Sequence, residues 1–450
     1  MNRFIPPKRT RELLKYAAPC MAEQFMLVLV GIVSTAIIGH LGKAELTASS
    51  MSTTLVNWLQ CIYTGLATGA TVLIGRFWGN NEKENVRRTF FQAILLTTSI
   101  SLIVLSLLLV FQNQLIELFF GTADEEVNKN LHIYFGLCMI GMPATAATSA
   151  ITASLRGIGD NKSAFFSTAA LNVLNIILSY SLIYGIGALG IKPMGIRGAA
   201  IAICTARYLT LLITFTYIIV LKKPILPSLK HLSLDSGIVK RLVTVSIPSA
   251  VEAFVFQGGF FMLQTILLGF GTVLQAGYQI GNQVNGINNA PALALGVAMT
   301  STISQQLGKR DYKAALEYVD AAKYVVKIGF TAMFIIMLAL SPWQAYLYTS
   351  DPAVIKSSTF FIALFAFCVI PVGYMQTLAG VLRGAGDVKY VTVSAVFGLW
   401  IFRICTVIVV SRLTNSGYIG VASGVPADFF VRAIMYHFRI KKGNWLRIRI

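Results

Sequence analysis

Apolar residues occur along this chain in long runs that short polar segments separate. A run of about 20 apolar residues is long enough to cross the hydrocarbon core of a bilayer as a helix. The runs predict twelve membrane-spanning helices, at residues 12–40, 47–77, 89–112, 130–154, 162–186, 196–221, 242–270, 275–305, 316–343, 355–382, 389–412 and 417–438. Composition supports this, because 56% of the 450 residues are hydrophobic and 12% are charged, whereas soluble domains contain about 25% charged residues. We therefore expect an all-α polytopic membrane protein.

Several stretches of the first half return in the second half. The hexapeptide Leu155–Asp160 recurs as Leu382–Asp387 with a single difference, Ile158 against Ala385. Other matches have offsets between 227 and 229 residues: Pro19 with Pro248, Glu23 with Glu252, Leu66–Gly69 with Leu293–Gly296, Gly79 with Gly308, and Pro143 with Pro371. Since six spans separate the copies, both copies have the same orientation in the membrane. We expect two six-helix lobes, 1–221 and 242–450, joined by a linker at 222–241.

The net charge of +19 is unevenly distributed. Lys and Arg are abundant at both termini, in the linker and in the even-numbered loops, and they are scarce in the other loops. The positive-inside rule then predicts that both termini are cytoplasmic. Basic loops beside a membrane contact anionic lipid, so no nucleic-acid partner is needed to explain the charge. We expect a multi-pass protein of the cell membrane.

Two carboxylates lie at equivalent depths in their predicted helices, Glu23 in the first span and Glu252 in the seventh. Each is about ten residues into its helix, which corresponds to about 15 Å from the cytoplasmic end. A carboxylate at that depth should face protein or a water-filled cavity. There it could exchange a proton or release a cation, which is the chemistry of an antiporter. The alternative is a structural ion pair, for which Arg207 and Arg403 are available.

Side-chain amides and hydroxyls are concentrated in a few spans, where they must bond to a neighbouring helix or to water. In the first half they recur at three- and four-residue spacing and therefore share one helix face. We expect these groups either to line a binding cavity or to join helices. The candidates for ion coupling or substrate binding, besides the two glutamates, are Gln257, Asn282, Gln283, Asn172, Asn175 and Ser179.

Other charged residues near the spans have simpler explanations. Asp428 and Arg432 are four residues apart, which predicts a local pair on one helix face. The repeated hexapeptides predict tight cytoplasmic turns, because glycine permits a sharp reversal of the chain. We assign a structural role in these turns to Arg156, Gly157, Arg383 and Gly384.

The chain carries no signature of an enzyme of the soluble type. It has no GxxxxGK[ST] phosphate-binding loop, and its four histidines are scattered without metal-ligand spacing. Its six cysteines lie in or beside apolar runs and form no CxxC pair, so packing is the expected role. We expect no enzymatic activity and no cofactor. A Na⁺ site near Glu252 is the one metal site that the sequence would allow.

The motifs together resemble the multidrug and toxic compound extrusion (MATE) family over nearly the whole chain. The similar stretches are Ile37–Gly42 (IIGHLG), both LRGxGD hexapeptides, the Asn172-x-x-Asn175 pair, Gly195–Ala202 and Lys442–Trp445. The resemblance implies a V-shaped pair of six-helix lobes around a central cavity. It also implies that a monomer exports organic cations and other amphipathic compounds in exchange for Na⁺ or H⁺, by a rocker-switch mechanism.

The chain departs from the family pattern at three acidic positions. Ser34, Ser179 and the Pro371-Val372 pair stand where some members have an aspartate. The resemblance therefore assigns ion coupling first to Glu252 and second to Glu23.

Two other functions remain open on sequence grounds. A flippase for a lipid-linked glycan or cell-wall precursor shares a related plan but would need more cationic groups in its cavity, and Arg207 and Arg403 keep it open. A membrane receptor or scaffold is disfavoured by the internal repeat and by the lack of added soluble domains.

Overall fold

The apolar runs of the sequence form helices in the computed structural model, which describes residues 7–120, 124–185, 192–221, 223–227 and 234–448. No strand occurs in these ranges. The helices are α1 Thr10–Gly39, α2 Lys43–Gly79, α3 Lys83–Phe120, α4 Glu125–Ile140, α5 Met142–Gly157, α6 Asn161–Tyr184, α7 Gly195–Val220, α8 Ser236–Leu268, α9 Thr272–Gly308, α10 Tyr312–Val325, α11 Thr331–Tyr346, α12 Pro352–Gly384, α13 Val388–Val396, α14 Thr406–Thr414 and α15 Gly417–Lys441. Two π-helical segments, Val326–Phe330 and Phe397–Cys405, and a short 3-10 helix at Asn444–Arg447 complete the set.

The helices correspond to the twelve predicted spans, which confirms the all-α polytopic class. Ten helices of the described part are long and apolar enough to cross a membrane, and two of these contain the π segments, Tyr312–Tyr346 and Val388–Thr414. The bent pair α4–α5 makes an eleventh. The amide-rich α9, with 37 residues, coincides with the predicted eighth span but is too polar to be counted with them. The sequence did not predict the 43° bend between α4 and α5 or the π segments.

The helices form two compact units with separate apolar cores. Unit 1 consists of residues 1–25, 79–81 and 251–450, and unit 2 of residues 26–78 and 82–250. The core of unit 1 includes Leu13 and Ala17 of α1 as well as Trp445 after α15. The unit boundaries therefore fall inside α1 and α8. Within the predicted linker 222–241, residues 222 and 228–233 lie outside the described residues.

The repeated hexapeptides form the same turn in both units, but not with the glycines that the sequence suggested. Gly159 and Gly386 have positive φ angles of 87° and 83° and make the reversal. Asp160 N–H donates to Leu155 O at 2.9 Å, and Asp387 N–H donates to Leu382 O at 2.8 Å, which is the bonding of a Schellman helix end. The assignment of Arg156, Gly157, Arg383 and Gly384 to the turn was wrong, because all four lie in the last turn of α5 or α12.

Gly157 and Gly384 instead permit close packing of two helices. A Cβ atom on Gly157 would overlap Ile74, and one on Gly384 would lie 2.5 Å from Thr300 O. The hydroxyl of Thr71 donates to Ala153 O at 3.0 Å, and that of Thr300 donates to Gly380 O at 3.1 Å. The same contact thus joins α2 to α5 in unit 2 and α9 to α12 in unit 1, so the repeat extends from the sequence to the packing.

Candidate functional site

Glu252, the first candidate, is bound to an arginine inside unit 1. Arg383 Nη2 donates to Glu252 Oε1 at 2.5 Å, and the Glu252 side chain is 14% exposed. Glu252 lies in the middle of α8, and Arg383 reaches it from the last turn of α12. The pair therefore joins two membrane helices. The sequence named Arg403 and Arg207 as partners for the glutamates, and for Glu252 this was wrong.

Asp428 lies at the centre of a second cluster of charges in unit 1. Arg432 donates to both carboxylate oxygens, Nε to Oδ1 at 2.5 Å and Nη2 to Oδ2 at 2.7 Å, which confirms the predicted pair. Arg403 Nη2 lies 2.7 Å from Oδ2, and its guanidinium carbon is 4.6 Å from the centre of the Phe429 ring. A Cβ on Gly398 would overlap Asp428, so this glycine of the π segment permits the close approach.

The two clusters form one electrostatic network, which we call the ion network: Glu252, Arg383, Arg403, Asp428 and Arg432. Arg432 interacts with the charges of both Asp428 and Glu252. Charges buried in a membrane protein are costly unless they are paired and hydrogen-bonded. Both carboxylates of the ion network are paired with guanidinium groups. Because there are two carboxylates and three guanidinium groups, one positive charge is in excess.

Glu23, the second candidate, is buried and belongs to the same unit as Glu252. Its position in α1 places it three residues before the point where α1 passes from unit 1 to unit 2. Although Glu23 and Glu252 belong to different sequence repeats, both therefore lie in unit 1.

The predicted polar stripe of α6 is buried in unit 2 and lies on one face, as its spacing indicated. Asn175 Nδ2 donates to Ser34 Oγ at 3.3 Å, and the Ser179 hydroxyl donates to Asn175 Oδ1 at 3.3 Å. Asn172 lies on the same buried face. Two of these residues, Ser34 and Ser179, occupy positions where the resemblance expected aspartate. The structure thus brings them together as a neutral hydrogen-bonded group.

The remaining amide candidates are less enclosed. Gln257 of α8 and Asn282 of α9 are half-buried, and Gln283 is exposed. Further along α9, Asn288 Nδ2 and Asn289 Oδ1 are buried without a hydrogen-bond partner in the described structure. Pro291 lies beyond them in the same helix and has no N–H to donate to the carbonyl four residues earlier. This part of α9 therefore has spare hydrogen-bonding capacity that the sequence candidates did not include.

Arg207 has a structural role that the sequence did not reveal. α4 ends at Ile140 and the chain bends by 43° before α5, so carbonyl groups in the last turn of α4 lose their helical donors. Arg207 Nη1 donates to Cys138 O at 2.8 Å, and the Tyr208 hydroxyl donates to Ile140 O at 2.9 Å. A positive charge is also favourable at a helix C-terminus. The available signal was Pro143 inside a predicted span.

The aspartate of each hexapeptide binds a cation from the end of its unit's last span. Lys223 Nζ donates to Asp160 at 2.5 Å, and Arg439 Nε donates to Asp387 at 2.7 Å. Burial tends to raise the pKa of Asp160, but hydrogen bonds from Lys223 and Ser163 outweigh it, so the pKa lies below its ordinary value. The hexapeptide therefore contributes an ion pair, which the sequence did not predict.

In the part of the chain that the structure describes, no group of three or more His, Cys, Asp or Glu side chains could hold a metal ion. The Na⁺ site near Glu252 stays a prediction.

Two repeated sets of membrane-spanning helices define a polytopic membrane protein with an internal repeat. The family model described as MatE matches residues 19–181 and 248–409, one match in each repeat, and the chain belongs to this family of MATE transporters. The resemblance noted from the sequence is thereby confirmed.

Relatives align over nearly the full chain. It is 26% identical over 447 residues to the probable multidrug resistance protein NorM of Thermotoga maritima, covering 98% of this chain and 94% of that protein. Multidrug and toxin extrusion protein 1 of Xenopus tropicalis is 24% identical, with 99% and 76% covered.

Solved structures have the same fold. An outward-facing multidrug resistance MATE transporter of the MOP superfamily superimposes with a TM-score of 0.89 at 19% identity, covering 99% of this chain and 98% of that one. A MOP superfamily transporter from Pyrococcus furiosus, described as having a binding pocket of reversed polarity, gives 0.89 at 19% identity with the same coverage.

Proposed function

We propose that this chain is a secondary active transporter that exports amphipathic, mainly cationic drugs or metabolites from the cell in exchange for Na⁺ or H⁺. The names of the relatives support multidrug efflux as the activity. In this proposal the protein acts as a monomer in the cell membrane, with both termini in the cytoplasm. Rocker-switch motion then exposes the substrate site to each side in turn.

The ion pair between Glu252 and Arg383 carries the proposal. A proton or Na⁺ that binds Glu252 competes with Arg383 for the carboxylate, so it weakens a link between α8 and α12. A ligand drives a conformational change only if it binds one state better than the other. A carboxylate that is paired in one state and free to bind the ion in the other meets this condition. Glu23, buried in the same unit, has the second role.

The test is export of ethidium, an organic cation, from proteoliposomes under separately imposed Na⁺ and pH gradients. We expect one gradient to drive export by the unmodified chain. Glu252→Gln should abolish this dependence while the protein stays folded, because a neutral amide binds neither a proton nor Na⁺ in the required way. Glu84→Gln is the matched control, since Glu84 is an exposed acid paired with Arg88 within α3. Normal gradient-driven export by Glu252→Gln would reject the role of Glu252.

A flippase for a lipid-linked glycan or cell-wall precursor is the second candidate. It is favoured by the excess positive charge of the ion network, since three arginines share two carboxylates. A pyrophosphate group would complement that charge. Transbilayer movement of a fluorescent polyprenyl pyrophosphate in the same vesicles, without gradient-driven ethidium export, would favour this function over the first.

A further inference from the structure

Helix α2 of unit 2 has an exposed face that is polar although the helix lies in the membrane part of the chain. The structure describes α2 in full, and none of its large apolar side chains is exposed. Every exposed side chain between residues 47 and 64 carries a hydroxyl or an amide, and their three-, four- and seven-residue spacing places them on one side of the helix. We call this set the hydroxyl face: Thr47, Ser50, Thr53, Thr54, Asn57 and Thr64.

The next helix of unit 2, α3, has an exposed surface of the opposite character. It presents a series of large apolar side chains: Leu102, Ile103, Leu107, Leu109 and Val110. Such a surface suits hydrocarbon, whereas polar side chains in a membrane protein face a water-filled cavity or other protein groups. The hydroxyl face has no exposed large apolar side chain, and Asn57 would present an amide to lipid. We therefore infer that this face of α2 is in contact with water.

The hydroxyls of this face present acceptors only. Each of the five donates its proton to a backbone carbonyl one turn earlier, at 2.8–3.0 Å: Thr47 to Lys43, Ser50 to Leu46, Thr53 to Ser49, Thr54 to Ser50 and Thr64 to Gln60. A hydroxyl has one donor and two acceptor lone pairs, so only lone pairs remain for a ligand. No charged residue occurs between residues 47 and 64. The face thus offers a row of neutral oxygen acceptors over about 25 Å of helix.

We propose that the hydroxyl face binds the cargo through N–H donors, and that it selects cations with N–H groups over quaternary ammonium compounds. Side chains three or four residues apart on a helix are separated by about 5–6 Å. One primary ammonium group with two N–H···O bonds of about 2.8 Å each spans nearly this distance. Hydrogen bonds from a charged donor are stronger than neutral ones, and a quaternary ammonium group can make none. The inference rests on the proposed function, because it takes the cargo to be an organic cation.

Equilibrium binding to the purified full chain in detergent tests this selection. The two probes are a dansyl-labelled primary ammonium compound and its trimethylammonium analogue, which have the same dye and charge but differ in N–H donors. We expect the unmodified chain to bind the primary ammonium about tenfold more tightly. The double variant Ser50→Ala, Thr54→Val should lose most of that difference through weaker binding of the primary ammonium alone. Equal affinities for the unmodified chain, or no binding of the primary ammonium, would overturn the proposal.

Ser106→Ala is the matched control for Ser50→Ala. The Ser106 hydroxyl is also exposed and donates to a leucine carbonyl one turn earlier, Leu102 O, at 2.9 Å. It lies among the exposed apolar side chains of α3, so its removal should leave both affinities unchanged. A loss of primary ammonium binding as large as that of the double variant would contradict the role of the hydroxyl face.

Cysteine labelling keeps the proposal testable if the double variant does not fold. In a version of the full chain without its six cysteines, Ser50→Cys is compared with Ser106→Cys in proteoliposomes. The probe is a charged methanethiosulfonate reagent supplied on both sides of the membrane, which reacts with the thiolate and therefore needs water at the thiol. We expect labelling at residue 50 to be about tenfold faster than at residue 106. Equal rates would overturn the proposal.

The binding test needs neither an ion gradient nor export, so it can fail independently of the proposed function. A chain that prefers the primary ammonium but exports no ethidium under either gradient would reject the proposed function and support the selective face. A chain that exports ethidium but binds both probes equally would do the reverse.

Discussion

Replacing Asp428 with asparagine would remove the carboxylate that two buried arginines share. Asp428 is 0% exposed, accepts two hydrogen bonds from Arg432 and lies 2.7 Å from Arg403. Asparagine keeps the volume but leaves both guanidinium groups without a counter-charge. Removing one partner of a buried ion pair costs about 3–5 kcal/mol. At about 2–4 °C per kcal/mol for a unit of roughly 200 residues, the melting temperature should fall by about 10 °C.

In a variant that keeps Cys368 as its single cysteine, a thiol-reactive fluorescent dye measures this in detergent. Cys368 is buried in unit 1 and reacts only when the unit opens, whereas the exposed Cys405 would react in the folded protein. Asp320→Asn is the control in the same unit: Asp320 is 69% exposed in its pair with Lys323, so the loss should be within about 1 kcal/mol. Combining Asp428→Asn with Arg403→Met and Arg432→Met should recover much of the loss, since apolar replacement of a whole buried cluster is nearly neutral. A shift for Asp428→Asn no larger than the control would refute the reasoning.

Two further changes test other contacts. The glycine change uses the same assay, and the Asp160 change is followed by circular dichroism, because Asp160 lies in unit 2 and a thiol dye reacts too slowly in acid. Gly384→Ala should lower the free energy of unfolding by about 1–3 kcal/mol, because its Cβ would meet Thr300 O. Gly286→Ala is the control: it has open space around it and should be neutral or stabilising by up to about 1 kcal/mol. Equal effects of the two changes would contradict the packing argument. Asp160→Asn keeps the helix cap but loses the attraction to Lys223. Since the folded-state pKa of Asp160 lies below its ordinary value near 4, the charge contributes fully at neutral pH and its contribution disappears as the pH falls through the folded-state pKa. The difference in melting temperature between this variant and the unmodified chain should therefore narrow in acid, and a constant difference would count against the ion pair.

The sequence predicted the features that depend on local spacing. The length of the hydrophobic runs predicted the spans, and the constant sequence offset predicted the repeat. The structure adds that Thr71 and Thr300 make equivalent contacts in the two units. The four-residue spacing of Asp428 and Arg432 gave their pair. The bend at Gly141 was readable in principle, because Pro143 removes a helical donor.

Long-range pairs could not be predicted, because spacing along the chain does not tell which distant side chain reaches a buried charge. Arg383 was interpreted as a turn residue from its motif, yet its long side chain extends back to Glu252. The sequence suggested Arg403 as a partner for a glutamate, but Arg403 lies in a π segment and pairs with Asp428. Arg207 donates to the carbonyl group of Cys138. That carbonyl group lacks a helical donor because the helix breaks there, and the sequence analysis did not predict the break.

The division of α1 and α8 between the units bears on how such a chain could have arisen. Residues 1–25 complete the core of unit 1 through Leu13 and Ala17, and the start of α8 packs in unit 2, where Ala250 lies against Gly65. An ancestor with a single repeat would have lacked the first half-helix of its own core. It could have completed that core only by exchanging the half-helix with a second copy, as in a domain-swapped homodimer. Gene fusion would then have made this exchange permanent within one polypeptide.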